Sequence, residues 1–128
     1  MTESRQPESQ PGCKVILFHR QGGEVRFGVV DEAGAPTFPT VAFPDLFAID
    51  AGLLAFGREA LGLTAPHLHH RFVERPHPAG WLFYLLEEQA PPAPASPVHW
   101  RHLAGLRERL GQEEQKALAR AIRYLTSA

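Results

Sequence analysis

From Cys13 to Arg20 the run CKVILFHR is dense in β-forming residues, and after the turn residues Gln21-Gly22-Gly23 a second such run, EVRFGVVD, extends from Glu24 to Asp31. Branched and aromatic side chains suit a pleated, half-buried surface, so the two runs predict a β-hairpin. The stretch from Glu32 to Thr40, EAGAPTFPT, holds two prolines and a glycine and reads as a loop entering a short extended piece. The apolar period then changes. Leu53, Leu54, Phe56, Ala60 and Leu61 spread over a wide apolar face, with Arg58 and Glu59 at its polar edge, which predicts a helix from about Ala51 to Leu61. Asp50 is placed to cap its start and Gly62 to take the positive φ that ends it.

Two further β-rich runs follow, HLHHRFVER from His67 to Arg75 and WLFYLLEE from Trp81 to Glu88, separated by the turn Pro76-His77-Pro78-Ala79-Gly80. They predict a second strand pair, and the almost unbroken apolar character of the later run predicts a central strand. QAPPAPASPV, from Gln89 to Val98, contains four prolines that cannot donate to a sheet ladder, so it is expected to be an extended connector. Beyond Trp100, the segment from about Gln112 to Leu125 carries Leu118, Ile122 and Leu125 at helical spacing. Glu113 and Glu114 stand near its start and Arg120 and Arg123 near its end, the order a helix dipole favours. A terminal helix packed on the sheet is expected. Residues 1–12 show no apolar periodicity and are expected to form a disordered N-terminal tail, leaving residues 13–128 as a single domain.

Composition narrows the function classes. Thirteen Lys and Arg against fourteen Asp and Glu give a net charge of -1, with no basic stripe to draw in a phosphate backbone, so no nucleic acid partner is expected. Cys13 is the single cysteine, which excludes an internal disulfide and suits a reducing, cytoplasmic setting. No apolar run approaches the roughly 20 residues that span a bilayer, so no membrane partner is expected.

The order of hairpin, loop, helix ending in Gly-Leu-Thr-Ala, two strands, a tryptophan and a final helix resembles the Nudix hydrolase superfamily over roughly residues 13 to 125. The family signature reads G-x5-E-x7-R-E-U-x-E-E-x-G-U, with U apolar, and follows a Leu-Pro-Gly-Gly strand. Placing its closing glycine on Gly62 sets the signature on Val41 to Leu63 without a gap. Phe38-Pro39 then matches the lead-in and Gly62-Leu63 the closing pair. The two lead-in glycines fall on Thr40 and Val41, the first glutamate on Phe47, and the Arg-Glu pair on Ala55 and Phe56. Of the final Glu-Glu pair only Glu59 remains, beside Ala60. The motif is a strongly degenerate Nudix box.

That resemblance implies an α/β fold, a Nudix-like α/β/α sandwich around a small mixed β-sheet. It also frames the chemistry. Diphosphate cleavage needs Mg²⁺, which binds through several hard oxygen ligands in near-octahedral geometry, and one carboxylate does not build such a site. The residues therefore point to a domain without ordinary Mg²⁺-dependent hydrolase activity, a pseudoenzyme that binds a small nucleotide-like ligand or a protein partner. The alternative is a hydrolase of nucleoside diphosphate derivatives with a rebuilt metal site, and only in that case is Mg²⁺ a cofactor. Glu59 is the candidate catalytic residue, and Arg26, Arg58 and Arg71 are the candidate ligand-binding residues, with Arg20 a further cation able to grip phosphate. No metal ligands are assigned. His67, His69, His70 and His77 form the densest cluster of transition-metal donors, with His67, His69 and Arg71 on one strand face and His70 on the other. Asp31, Glu32 and Asp45 are carboxylates near the expected pocket. Trp81, Phe83, Tyr84 and Trp100 could stack a flat ligand, although burial is the simpler expectation. Phe47, Leu54 and Phe56 would favour a homodimer if they faced a second subunit.

Overall fold

A computed structural model describes residues 13–41, 49–74, 81–94 and 96–127. Strands β1 (Cys13–Gln21) and β2 (Glu24–Glu32) form the expected hairpin, pairing from Leu17 with Gly28 to Gln21 with Glu24. The two-residue turn between them has φ of 59° at Gly22 and 86° at Gly23. Positive φ at both positions matches the right-handed twist of the flanking strands, and glycine reaches it without a Cβ clash.

The loop expected at Glu32 to Thr40 is more regular than its prolines suggest. β3 (Ala35–Thr37) pairs with β2, and β4 (Thr40–Val41) pairs with the start of β1. Helix α1 spans Ile49–Glu59, about two residues earlier than its apolar pattern indicates. Asp50 consequently lies inside the first turn instead of capping it, and its carboxylate reaches His70 Nδ1 at 3.1 Å.

β5 (Pro66–Glu74) and β6 (Leu82–Glu88) pair antiparallel, and β6 runs parallel to β1 between β1 and β5, so the apolar run is indeed central. The turn expected at residues 76–80 lies outside the described residues. The proline-rich connector has no helix or strand in its described positions. It leads into β7 (His99–His102), which the sequence reading missed and which pairs with β2. A short helix α2 (Leu103–Leu106), a 3-10 turn (Arg107–Arg109) and helix α3 (Gln112–Thr126) complete the described chain. Among these residues no helix is long and apolar enough to cross a membrane.

Strand alternation divides the core between the two faces of the sheet. Ile16, Phe18, Phe27, Val29, Phe83 and Leu85 pack with Ala117, Leu118 and Ala121 of α3 on one side. Val15, Leu17, Leu68, Tyr84 and Leu86 pack with Leu53 of α1 on the other. The arrangement is an α/β/α sandwich around a mixed sheet, in which each amphipathic helix covers one face.

A lock ties α3 to the first strands. The buried Glu114 carboxylate accepts hydrogen bonds at Oε2 from Lys14 Nζ at 3.0 Å, Thr37 Oγ1 at 2.7 Å and the Phe38 amide at 2.9 Å. Its Oε1 lies 3.4 Å from the Gly111 amide, closing half of a capping box.

Candidate functional site

The degenerate motif keeps its backbone and loses its donors. Phe38 and Pro39 are buried, and the Val15 amide donates to Pro39 O at 2.9 Å, fixing the lead-in against β1. At the far end Gly62 has φ 70°, and the Leu63 amide donates across the turn to Gly57 O at 2.9 Å. A glycine suits this helix-ending conformation because no side chain opposes positive φ. Between these anchors, Phe56 and Leu54 are partly buried against the core beneath α1. Arg58 and Glu59 lie exposed at the end of the helix, followed by exposed Ala60.

This geometry decides how well Mg²⁺ fits. At the described positions where the signature carries a glutamate the motif keeps a single carboxylate, Glu59, while Phe56 is engaged as packing; Asp50, elsewhere on the same helix, faces His70. Among the described residues no group of three His, Cys, Asp or Glu side chains is placed to hold a metal ion. The donor set of the described motif does not fit a cation that demands several oxygen ligands. Phe47 and Asp45 lie outside the described residues.

Glu87 and Glu88, adjacent at the end of β6, are both buried and serve opposite faces. Glu88 Oε2 accepts from the Thr64 amide at 2.7 Å and Oε1 from the Ala65 amide at 2.8 Å, holding the loop that follows the motif. The Glu88 carbonyl in turn accepts from His19 Nδ1 at 2.7 Å. A continuous chain of hydrogen bonds thus runs from the closing loop of the motif to His19. Glu87 is gripped by Arg20, whose Nη2 and Nε lie 2.9 and 3.1 Å from its two oxygens, and His69 Nε2 lies 3.0 Å from Oε1. Burial pushes the Glu87 carboxyl up, but the hydrogen bonds and charges of Arg20 and His69 outweigh burial and leave it below its ordinary value.

On the α1 side, beside the β1–β2 turn, His19, Gln21, Glu24, Arg26 and Pro92 line a cavity of about 300 Å³. His19 Nε2, Trp100 Nε1 and, on β7, Arg101 Nε are buried and have no hydrogen-bond partner among the described residues. A buried polar atom left so costs about 1–3 kcal/mol, which marks these positions for scrutiny.

The structure disperses the candidate ligand-binding residues. Arg26 lines the cavity on β2, whereas Arg58 ends α1 and Arg71 is exposed on β5. Two strands stand between β2 and β5, a separation of about 14 Å at the usual strand spacing, so the three arginines form no single cluster. Arg20 is committed to Glu87. His67 and His69 do meet, with ring centroids 5.0 Å apart, but His69 is already bonded to Glu87 and His70 to Asp50. His77 lies outside the described residues. An irregularity in β5 between Leu68 and Val73 breaks strict alternation. Phe72 packs on Tyr124 as His69 does, taking the place on that face expected for Arg71, which is exposed.

Among the other candidates, Asp31 lies 3.6 Å from His99, and Glu32 is exposed. Phe83 and Tyr84 are core, Trp81 lies under Lys14 Nζ at 4.7 Å, and Trp100 packs beneath the α1 side. The sequence reading gave no role to His19, Glu87 or Glu88, and gave Glu114 only its place in the charge order of the last helix. For the two β6 glutamates the available signal was position, since they close an otherwise apolar central strand.

No family model matches this chain, and no curated protein matches it. Solved structures do. The Ap4A hydrolase of C. elegans superposes with a TM-score of 0.69 at 13% identity, covering 90% of this chain and 97% of that one. The NUDIX domain of Shewanella oneidensis NrtR, complexed with ADP ribose, gives 0.60 at 14% identity over 90% and 86% of the two chains. RenU, a Nudix hydrolase from M. Smegmatis, gives 0.56 at 12% identity over 93% and 87%. The chain has the Nudix fold.

Proposed function

We infer that this chain is a Nudix-fold binding domain that takes a small nucleotide-like ligand and does not carry out ordinary Mg²⁺-dependent hydrolysis. The observation that carries the reading is Phe56. In the ungapped register it stands where the signature has a metal-binding glutamate, and its ring packs against the core beneath α1. An apolar side chain there removes a ligand and also disfavours the hydrated ion that phosphate chemistry would require. The nucleotide-like ligand is supported by fold neighbours, one an Ap4A hydrolase and another complexed with ADP ribose. Fold analogy by itself is a weak warrant for function, so direct binding is the test. Exposed Glu59 at the end of α1 is the feature that favours the alternative, a diphosphate hydrolase with a rebuilt metal site.

Calorimetric titration of the full chain with ADP-ribose and Ap4A, with and without Mg²⁺ or Mn²⁺, should give saturable binding that does not depend on metal. A parallel phosphate-release assay over nucleoside diphosphate derivatives should show no turnover. Metal-dependent turnover abolished by Glu59→Gln would replace this reading with the hydrolase. Absence of binding to every nucleotide derivative would remove the ligand from it.

A further inference from the structure

Helix α3 presents Lys116, Ala119, Arg120 and Arg123 on one exposed face, because these positions recur at intervals of three and four residues. With Glu74 at the end of the edge strand β5 they line a recess of about 400 Å³. The short side chain of Ala119 leaves room between its longer neighbours. Three cations there meet one acid, in a chain whose net charge is -1. Arg120 Nε stands 3.8 Å from Glu74 Oε2, too far for a hydrogen bond, so this ion pair occupies none of the guanidinium donors. The side chains of Lys116 and Arg123 have no ion-pair partner among the described residues. Glu113, one turn before Lys116, is turned to the Trp81 amide at 3.3 Å.

Like charges at these intervals repel and destabilise a helix. Complementing the helix dipole accounts only for Arg123, since that effect fades beyond the last turn and Lys116 is the fifth residue of α3.

We propose that this recess is a binding site for a linear oligophosphate such as inorganic triphosphate. Its volume lies in the lower part of the range for small-molecule sites, and every lining cation is exposed, so a ligand reaches all three without opening the fold. Two guanidinium forks and an ammonium are donors only, which calls for a ligand made of acceptors. The three cations are spread over about 10 Å of helix axis at the usual rise, so a single phosphate meets at most two of them. A phosphate chain carries accepting oxygens on every link and brings charge to all three. An extended peptide presents side chains to one side at every second residue, so three carboxylates need about five residues, more than the recess holds. None of the described lining side chains is aromatic, so no base is stacked and the chain alone is read. The site stands independently of the nucleotide reading, whose motif helix α1 covers the other face of the sheet.

The test is calorimetric titration of the full chain with inorganic triphosphate. Saturable binding of one triphosphate per chain is expected, with inorganic phosphate and pentaglutamate each at least about tenfold weaker and ATP no tighter. Arg120→Gln combined with Arg123→Gln, both at exposed positions, should weaken triphosphate by about tenfold or more, whereas the same loss of charge by Arg107→Gln and Arg109→Gln, exposed on the 3-10 turn, should leave it unchanged. Glu74→Gln keeps every cation and removes the opposing acid, so it should tighten binding. Lack of saturable binding, phosphate or pentaglutamate binding as well as triphosphate, or ATP binding more tightly would each overturn the proposal. So would equal losses in the two double variants, or no gain in Glu74→Gln. Should the Arg120 and Arg123 double variant fail to fold, the Glu74→Gln result and the ligand series in the natural chain decide the matter.

Discussion

Helices α1 and α3 cover opposite faces of one sheet, and each carries a glutamate near one end, yet the two residues have opposite fates. Glu114, in the first turn of α3, is buried and gathers a lysine, a threonine and a backbone amide on one oxygen. Glu59, the last residue of α1, is exposed. In the sequence the emphasis was reversed, because Glu114 looked like ordinary dipole complementarity and Glu59 like the survivor of a metal site. The difference teaches that a carboxylate's role is set by what converges on it from distant parts of the chain. Lys14 and Thr37 are separated from Glu114 by 100 and 77 residues, and no local pattern announces them.

The largest effect expected from this contrast is at Glu114. Glu114→Ala removes the acceptor from Lys14, whose side chain is only 12% exposed, and leaves the Thr37 hydroxyl and the Phe38 amide without their shared partner. Breaking a buried pair from one side costs about 3–5 kcal/mol, so chemical denaturation should show a loss of that order. The melting temperature should fall by roughly 10–15 °C. A change within experimental error would mean that the lock contributes no net stability and that α3 is held by its apolar face alone.

Next comes the motif helix itself. Phe56→Glu combined with Ala60→Glu restores two signature carboxylates, one by removing a ring from the core edge and one at an exposed position. The first change should cost about 1–2 kcal/mol of stability through lost apolar burial. With Glu59 already present, the pair should raise the affinity for Mg²⁺ or Mn²⁺ above that of the natural chain, measured by calorimetry. Lost stability without any gain in metal affinity would count against the ungapped register.

The acid limb of stability provides a smaller test, on the α3 side. The Glu87 carboxyl lies below its ordinary value in the folded chain because Arg20 and His69 hold its charged form against burial. The unfolded chain then takes up a proton at a higher pH than the folded chain does. The stabilisation is therefore complete at neutral pH and is lost as pH falls from about 4.3, the ordinary glutamate value, through the folded value. Glu87→Gln should lower stability at pH 7 and flatten this part of the profile. An unchanged slope between pH 5 and the acid transition would show that other carboxylates control acid unfolding.

Much of the fold was legible because periodicity reports burial directly. The hairpin, the central β6 run and the apolar stripe of α3 are written in residues a few positions apart, and all stand near the expected places. β7 was not legible. Its four residues, His99–His102, follow a proline-rich stretch, and their pairing with β2 depends on a partner some 70 residues earlier. The bulge in β5 was hidden for a similar reason, since HLHHRFVE alternates well enough until β6 imposes its own register. For the site, the motif's glycine and proline anchors could be read, because they encode local backbone geometry. The His19 cavity could not, because it is assembled from β1, β2 and the connector and no one segment contains its pattern.

The smallest expected effect is also the sharpest test of the comparison between the helices. Glu59→Gln keeps the size and polarity of an exposed side chain at the end of α1 and alters only its charge. Surface changes of this kind usually stay within about 0.5 kcal/mol, so melting and denaturation curves should overlay those of the natural chain. Binding of ADP-ribose should likewise be unaltered, because the nucleotide reading gives Glu59 no contact. If the substitution instead removes metal-dependent binding or turnover, Glu59 must share its ion with oxygen donors outside the described motif positions. The contrast between α1 and α3 would then be one between a catalytic and a structural glutamate, and the loss of function inferred from Phe56 would be withdrawn.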